Sequence, residues 1–208
     1  MISHRVVLTL SATAVVLAAT AGCSGTTAAT PTTTPPPPST KTLPHSGAPK
    51  VEHPLPASVL SGDPCQDGLT ADQIERILGT AAQGERDDAE GLGPACNWHN
   101  TDTGAVVGVG YSTQPREGLS AVYAGTKSQA KIWQVLPAIQ GFPAVAHSTD
   151  SPGPDNDLCQ VSVGVSDELA FDASVGLSQA KVGKTNPCDV AATVADMVVT
   201  NLRQKAGG

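Results

Sequence analysis

The sequence predicts an α+β domain over residues 64–208, an antiparallel β-sheet with about three helices packed on it and two disulfides. Three observations carry this. Segments with apolar residues at helical spacing come first, midway and last, and runs alternating apolar and polar residues lie between them. The resulting order of helix, two strands, helix, several strands, helix fits a sheet with helices gathered on one face. Four of the five cysteines fall within residues 64–208, an even number suited to an oxidising compartment.

Residues 1–22 read as an export signal. Arg5 supplies the single positive charge near the start, and Val6 to Ala19 is an apolar run shorter than the roughly 20 residues a membrane span takes. Thr20-Ala21-Gly22-Cys23 follows, small residues directly before a cysteine, and this resembles the lipobox of bacterial lipoproteins. Leu is usual three residues before the cysteine, where this chain has Thr20. The expectation is a lipoprotein signal peptide over 1–22, cleavage before Cys23, and acylation of Cys23 with palmitate-like chains. That lipid would hold the protein on the extracytoplasmic face of the cell membrane. Ordinary cleavage at Ala19-Thr20-Ala21 is the alternative, and it would leave an odd thiol at Cys23.

From Cys23 to residue 63 the chain is rich in Thr, Ser and Pro, with prolines at every position from Pro35 to Pro38. Such composition buries too little apolar surface to offset ordering entropy, so a disordered tether is expected over 23–63. The proline run favours stiff polyproline II. The bland function is a spacer; its threonines are also candidates for glycosylation.

Within the domain the first helix is expected over Thr70–Leu78. Thr70 and Gln73 have capping-box spacing, Ile74, Ile77 and Leu78 form the inward stripe, and Gly79 ends it. Ala95–His99 and Ala105–Ser112 form a hairpin across Asn100–Gly104. In the second strand Gly108 and Gly110 share a face, which would let a helix lie close to the sheet. A second helix is expected from about Arg116 to Ala130, opened by Pro115. Extended segments follow at Ile132–Ile139, Phe142–His147, Cys159–Val165 and Leu169–Val175. The last helix opens with Asn186 as cap and Pro187 in its first turn, and continues through Val190, Val194, Val198 and Leu202.

The four domain cysteines allow three pairings. Cys65–Cys96 and Cys159–Cys188 are favoured, tying the first helix to the first strand and a late strand to the last helix. A zinc site is disfavoured because no Cys-x-x-Cys occurs. Residues 64–208 hold seventeen acids and nine bases, near −8, with no basic stripe, so nucleic acid and anionic lipid surfaces are poor partners for the folded part.

Taken in order, Cys23 and its Thr/Pro tether, Pro64-Cys65, Ile74 to Gly79, Cys96-Asn97-Trp98, Gly141 to Val145, Cys159 to Val163 and Pro187-Cys188 form a set of landmarks. The chain carrying them resembles the actinobacterial lipoprotein family known as domain of unknown function 3558. More distantly it is similar to extracellular sensor domains of mycobacterial serine/threonine kinases. The resemblance implies localisation, two disulfides and an α+β fold. It brings no catalytic residues, because the family has no established activity.

The residues themselves offer little chemistry. Ser178 to Thr185 is a near miss to a phosphate-binding loop, lacking its first glycine, and reads better as a turn into a helix cap. His99 with Asp102 could make a base and its orienting carboxylate, but both flank a hairpin turn. Asp150, Asp155 and Asp157 could gather calcium, yet read as a solvated loop, as does Glu85 to Glu90. No catalytic, cofactor or metal residue is assigned. The expected function is a non-enzymatic interaction module in the cell envelope, with a protein or polymer partner. A carrier or sensor holding a lipid or small molecule between sheet and helices is the alternative, and an extracellular hydrolase comes third.

Overall fold

The computed structural model describes residues 42–88 and 90–207. The expected signal peptide, Cys23 and the tether up to residue 41 lie outside the described residues. Seven strands form one antiparallel sheet in the order β1-β2-β3-β7-β6-β5-β4. They are β1 (Gly84–Arg86), β2 (Ala95–Asn100), β3 (Ala105–Ser112), β4 (Ile132–Val135), β5 (Ala144–Ser148), β6 (Leu158–Gly164) and β7 (Ala170–Gly176). The helices are α1 (Pro64–Asp67), α2 (Ala71–Leu78), α3 (Leu119–Gly125) and α4 (Pro187–Lys205).

Strand register sorts the side chains into two faces. On one, Cys96, Val109, Ala173, Val161 and Ala146 stand in a row, flanked by the rows of Trp98 and of Tyr111, Phe171 and Val163. This apolar face carries the core, closed by α1, α2 and α4, with Ile74, Leu78, Ala191, Val194, Val198 and Leu202 buried against it. Helix α2 begins with the expected capping box, Thr70 accepting from the Gln73 amide and Gln73 reaching back to the Thr70 amide, and ends on left-handed Gly79. Asn186 caps α4 by accepting from the Cys188 amide, and Arg203 and Lys205 sit in its last turn where the helix dipole favours cations. Asn100 locks the β2–β3 hairpin to α2: its Oδ1 accepts from the Asp102 and Thr103 amides while its Nδ2 donates to the Leu78 carbonyl.

Two disulfides join Cys65 to Cys96 and Cys159 to Cys188, the pairing favoured from the spacing. The first fastens α1 to β2, the second fastens β6 to the start of α4. Among the described residues no helix is long and apolar enough to cross a membrane.

Four expectations need correction. Helices do not share one face: α3 lies on the opposite side, where Leu119 and Tyr123 pack with Val145 and Ala170. That helix is also shorter than 116–130. Gly118 precedes it at φ 49°, with Asp167 and Ser166 carbonyls so near that any Cβ would collide, so the helix starts at Leu119 and breaks into turns after Gly125. Residues 42–63 are not a free tether, since Val51, Val59 and Leu60 are buried in the core. Isolated apolar residues in a Thr/Pro-rich stretch carry no periodic signal, and their partners come from elements distant in sequence. The arm is fixed by the Val51 amide donating to Asp167 and the Leu55 amide to the Val165 carbonyl. Finally, Glu85 and Arg86 belong to β1 rather than to a loop; three wholly exposed edge residues give no alternation to read.

Candidate functional site

On the face of the sheet away from the core, α3 covers an apolar patch at Val145 and Ala170. The rest of that face is mixed, with Val106 and Leu158 along one border and polar residues across its middle. Register places Asn97, Gly108, Ser174, Gln160, His147 and Trp133 in a single row crossing β2, β3, β7, β6, β5 and β4. Five spacings of about 4.8 Å make this row roughly 24 Å long. The expected helix over Gly108 and Gly110 is absent: Gly108 makes room for the side chains of Asn97 and Ser174, which a Cβ would meet at 2.4 Å, and Gly110 faces open space apart from Ala95.

Two hollows line up along this row. One of about 370 Å³ is bounded by Thr126, His147, Thr149, Asp150, Leu158 and Gln160. The other, about 200 Å³, is bounded by Asp87, Leu92, Asn97, Gly110, Asp172 and Ser174. Gln160 and Ser174 border both, so the hollows form one groove. Neither contains Lys or Arg. Leu92 lines the smaller hollow and Leu158 the larger, two of the three large apolar side chains left exposed among the described residues.

Beneath the groove runs a hydrogen-bonded chain. Ser162, fully buried, donates to Asp172 Oδ1, and Ser112 donates to Asp172 Oδ2 at 2.6 Å. With its proton committed to the carboxylate, Ser162 Oγ accepts from His147 Nε2 at 2.9 Å, which sets the tautomer of the neutral ring. His147 also stacks on Trp133, whose indole meets Tyr123 edge-on, with Lys127 over both rings. Burial holds the His147 pKa below the ordinary histidine value, and Asp172 opposes that shift. The order His–Ser–Asp differs from a nucleophile triad, where histidine sits between serine and carboxylate. Here the serine is interior and points its proton away from the imidazole. The chain organises the groove's floor.

A pH dependence follows. At a pH well above the ordinary histidine value of about 6.5, His147 is neutral folded or unfolded and adds no slope. As the pH falls below that, the unfolded chain takes up a proton that the buried ring resists, so stability should decline until the folded ring protonates too. Urea denaturation of the protein and of His147→Gln at pH 7.5, 6.5 and 5.5 checks it. Parallel curves for the two proteins would dismiss His147 as the source.

The residues singled out from sequence are elsewhere. His99 is exposed on β2, and no hydrogen bond joins it to Asp102 among the described residues. Asp150, Asp155 and Asp157 do not converge into a set of three potential metal ligands. Gly183 to Asn186 is a turn into α4. A further hollow of about 740 Å³, between the arm and the loops at 88–94 and 113–116, holds Arg86 and Arg116. Both guanidiniums are already paired, with Asp63 and Asp88 and with Glu168. The groove was missed because polar residues alternating with valines read only as a solvated face; that Ser162 and Asp172 meet His147 depends on register.

A family profile described as "Protein of unknown function (DUF3558)" matches residues 18–201. No curated protein matches the chain.

Proposed function

Since the chain belongs to the DUF3558 family, whose function is unknown, we propose from its geometry that the domain is a non-enzymatic binding module, working through the groove on its open sheet face. The family resemblance supports placing it in an actinobacterial envelope as a lipoprotein, anchored through acylated Cys23. The single observation that carries the binding reading is the polar row from Asn97 to His147, continuous across five strands and left uncovered beyond α3. Side chains along it keep hydrogen-bonding capacity for a partner, and the carboxylates of Asp87 and Asp150, with no cation beside them in the hollows, favour a partner that is neutral or basic where it touches. The core between sheet and helices is filled by Val107, Val109, Val161, Val163, Val194 and Val198, all essentially inaccessible. That packing counts against a ligand carried inside.

Gly110→Arg tests the groove. The backbone there suits any residue and the nearest contact of an added Cβ is Ala95 at 3.6 Å, so the new side chain should enter the groove without disturbing the core. The protein is extracted from its own membranes, its mass read for acylation of Cys23, and partners are captured by crosslinking. Gly110→Arg should lose at least tenfold of the captured partner while keeping its unfolding midpoint. Equal capture by both proteins would remove the groove from the binding role, and an unmodified Cys23 would remove the anchor.

A further inference from the structure

On the other side of the sheet, α2 and α4 leave a second depression, about 320 Å³, whose character is opposite to that of the groove. Its floor is apolar: Ile77 from α2 and Val190, Val194 and Met197 from α4. Ile77, Val190 and Met197 are half-buried, packed on the core below yet open above. The rim carries Arg76, Lys181 and one acid, Asp189. Arg76 and Lys181 are both exposed, and neither belongs to any ion pair among the described residues, so both are available to a bound anion. In a chain of net charge −7, two unpaired cations beside an apolar strip are a local reversal of sign.

We propose that the depression between α2 and α4 binds a single-chain alkyl carboxylate, its chain on Ile77, Val190 and Met197 and its head group between Arg76 and Lys181. The charge of the rim selects an anion, with Asp189 leaving one net positive charge. The apolar floor selects a hydrocarbon. Size selects a single chain: the volume lies at the bottom of the range for small-molecule sites, and a docking helix about 10–12 Å across would not enter it. The inference is independent of the groove, which lies on the opposite face.

The test uses the full chain labelled at methionine methyl carbons, titrated with dodecanoate below its micelle concentration. The chain has two methionines, Met1 and Met197, and Met197→Leu assigns the reporter. The Met197 methyl resonance should shift saturably. Arg76→Gln with Lys181→Gln should weaken the affinity on the order of tenfold, the sum of two exposed charge contacts. Dodecyltrimethylammonium should bind far less well, and Gly110→Arg should leave the titration unchanged. A Met197 signal that stays still, equal affinity for the ammonium amphiphile, or an unaffected double variant would each overturn the proposal.

Discussion

Replacing Cys159 and Cys188 together by alanine is expected to lower the unfolding free energy by about 3.6 kcal/mol. The bridge closes a loop of 29 residues, and in the chain-entropy account a loop of that size restricts the unfolded ensemble by roughly this amount. Both sulfurs are buried, so removing them adds a small packing loss of the same sign. In a domain of this size the change corresponds to a fall of roughly 10 °C in Tm. Equilibrium urea denaturation of the double variant measures it. A loss below about 1 kcal/mol would mean that the packing of α4 on β6 already closes the loop in the unfolded ensemble, and the entropic argument would fail. The Cys65–Cys96 bridge encloses 31 residues and should behave alike.

Phe171→Ala should cost about 3–5 kcal/mol, the usual range for emptying a buried aromatic site. Phe171 is fully inaccessible on β7, between Tyr111 of β3 and Val163 of β6, in the middle of the core face. Relief by collapse is poor there, because β7 is held by ladders on both sides and cannot shift toward the void. Phe171→Leu, which keeps most of the volume, should lose less than about 1.5 kcal/mol. The two variants measured side by side separate cavity formation from loss of the ring; equal losses would point to a specific role of the aromatic group.

The sequence spoke clearly where local physics decides. The capping box at Thr70 and Gln73, the Asn186-Pro187 entry to α4 and the β2–β3 hairpin all rest on neighbouring residues, and they stand where spacing put them. The short helix that holds Cys65 gave no signal, yet of the three possible disulfide pairings the sequence favoured the one found, since Cys96, Cys159 and Cys188 sit in recognisable elements. It was silent where the outcome depends on pieces distant along the chain. Val51 and Leu60 look like stray apolar residues until the elements that receive them are in place. Gly118 looks like any helix-permitting glycine until the Asp167 carbonyl is brought beside it. The candidate groove is the extreme case: His147, Ser162 and Asp172 come from three strands, and a one-residue slip in any ladder would send one of them to the core.

The arm over residues 42–63 has a mechanical consequence. Its fastenings come one after another along the chain: the His45 amide to Ser120, the His45 ring to Glu117, the Val51 amide to Asp167, the Leu55 amide to Val165, the Val59 carbonyl from Lys205. A pull at Thr42 away from the body loads them in turn, as a peeling strip is loaded, with the buried side chains of Val51, Val59 and Leu60 in series with the hydrogen bonds. The strip ends at Cys65, where a covalent bond hands the tension to β2. Before that point each fastening passes its load to the start of α3, to the Val165–Asp167 turn or to α4, and Val51, Val59 and Leu60 must leave the core for the strip to advance. Tension on the arm is therefore resisted in steps, the costliest being the withdrawal of Val59 and Leu60 from the core just ahead of the disulfide.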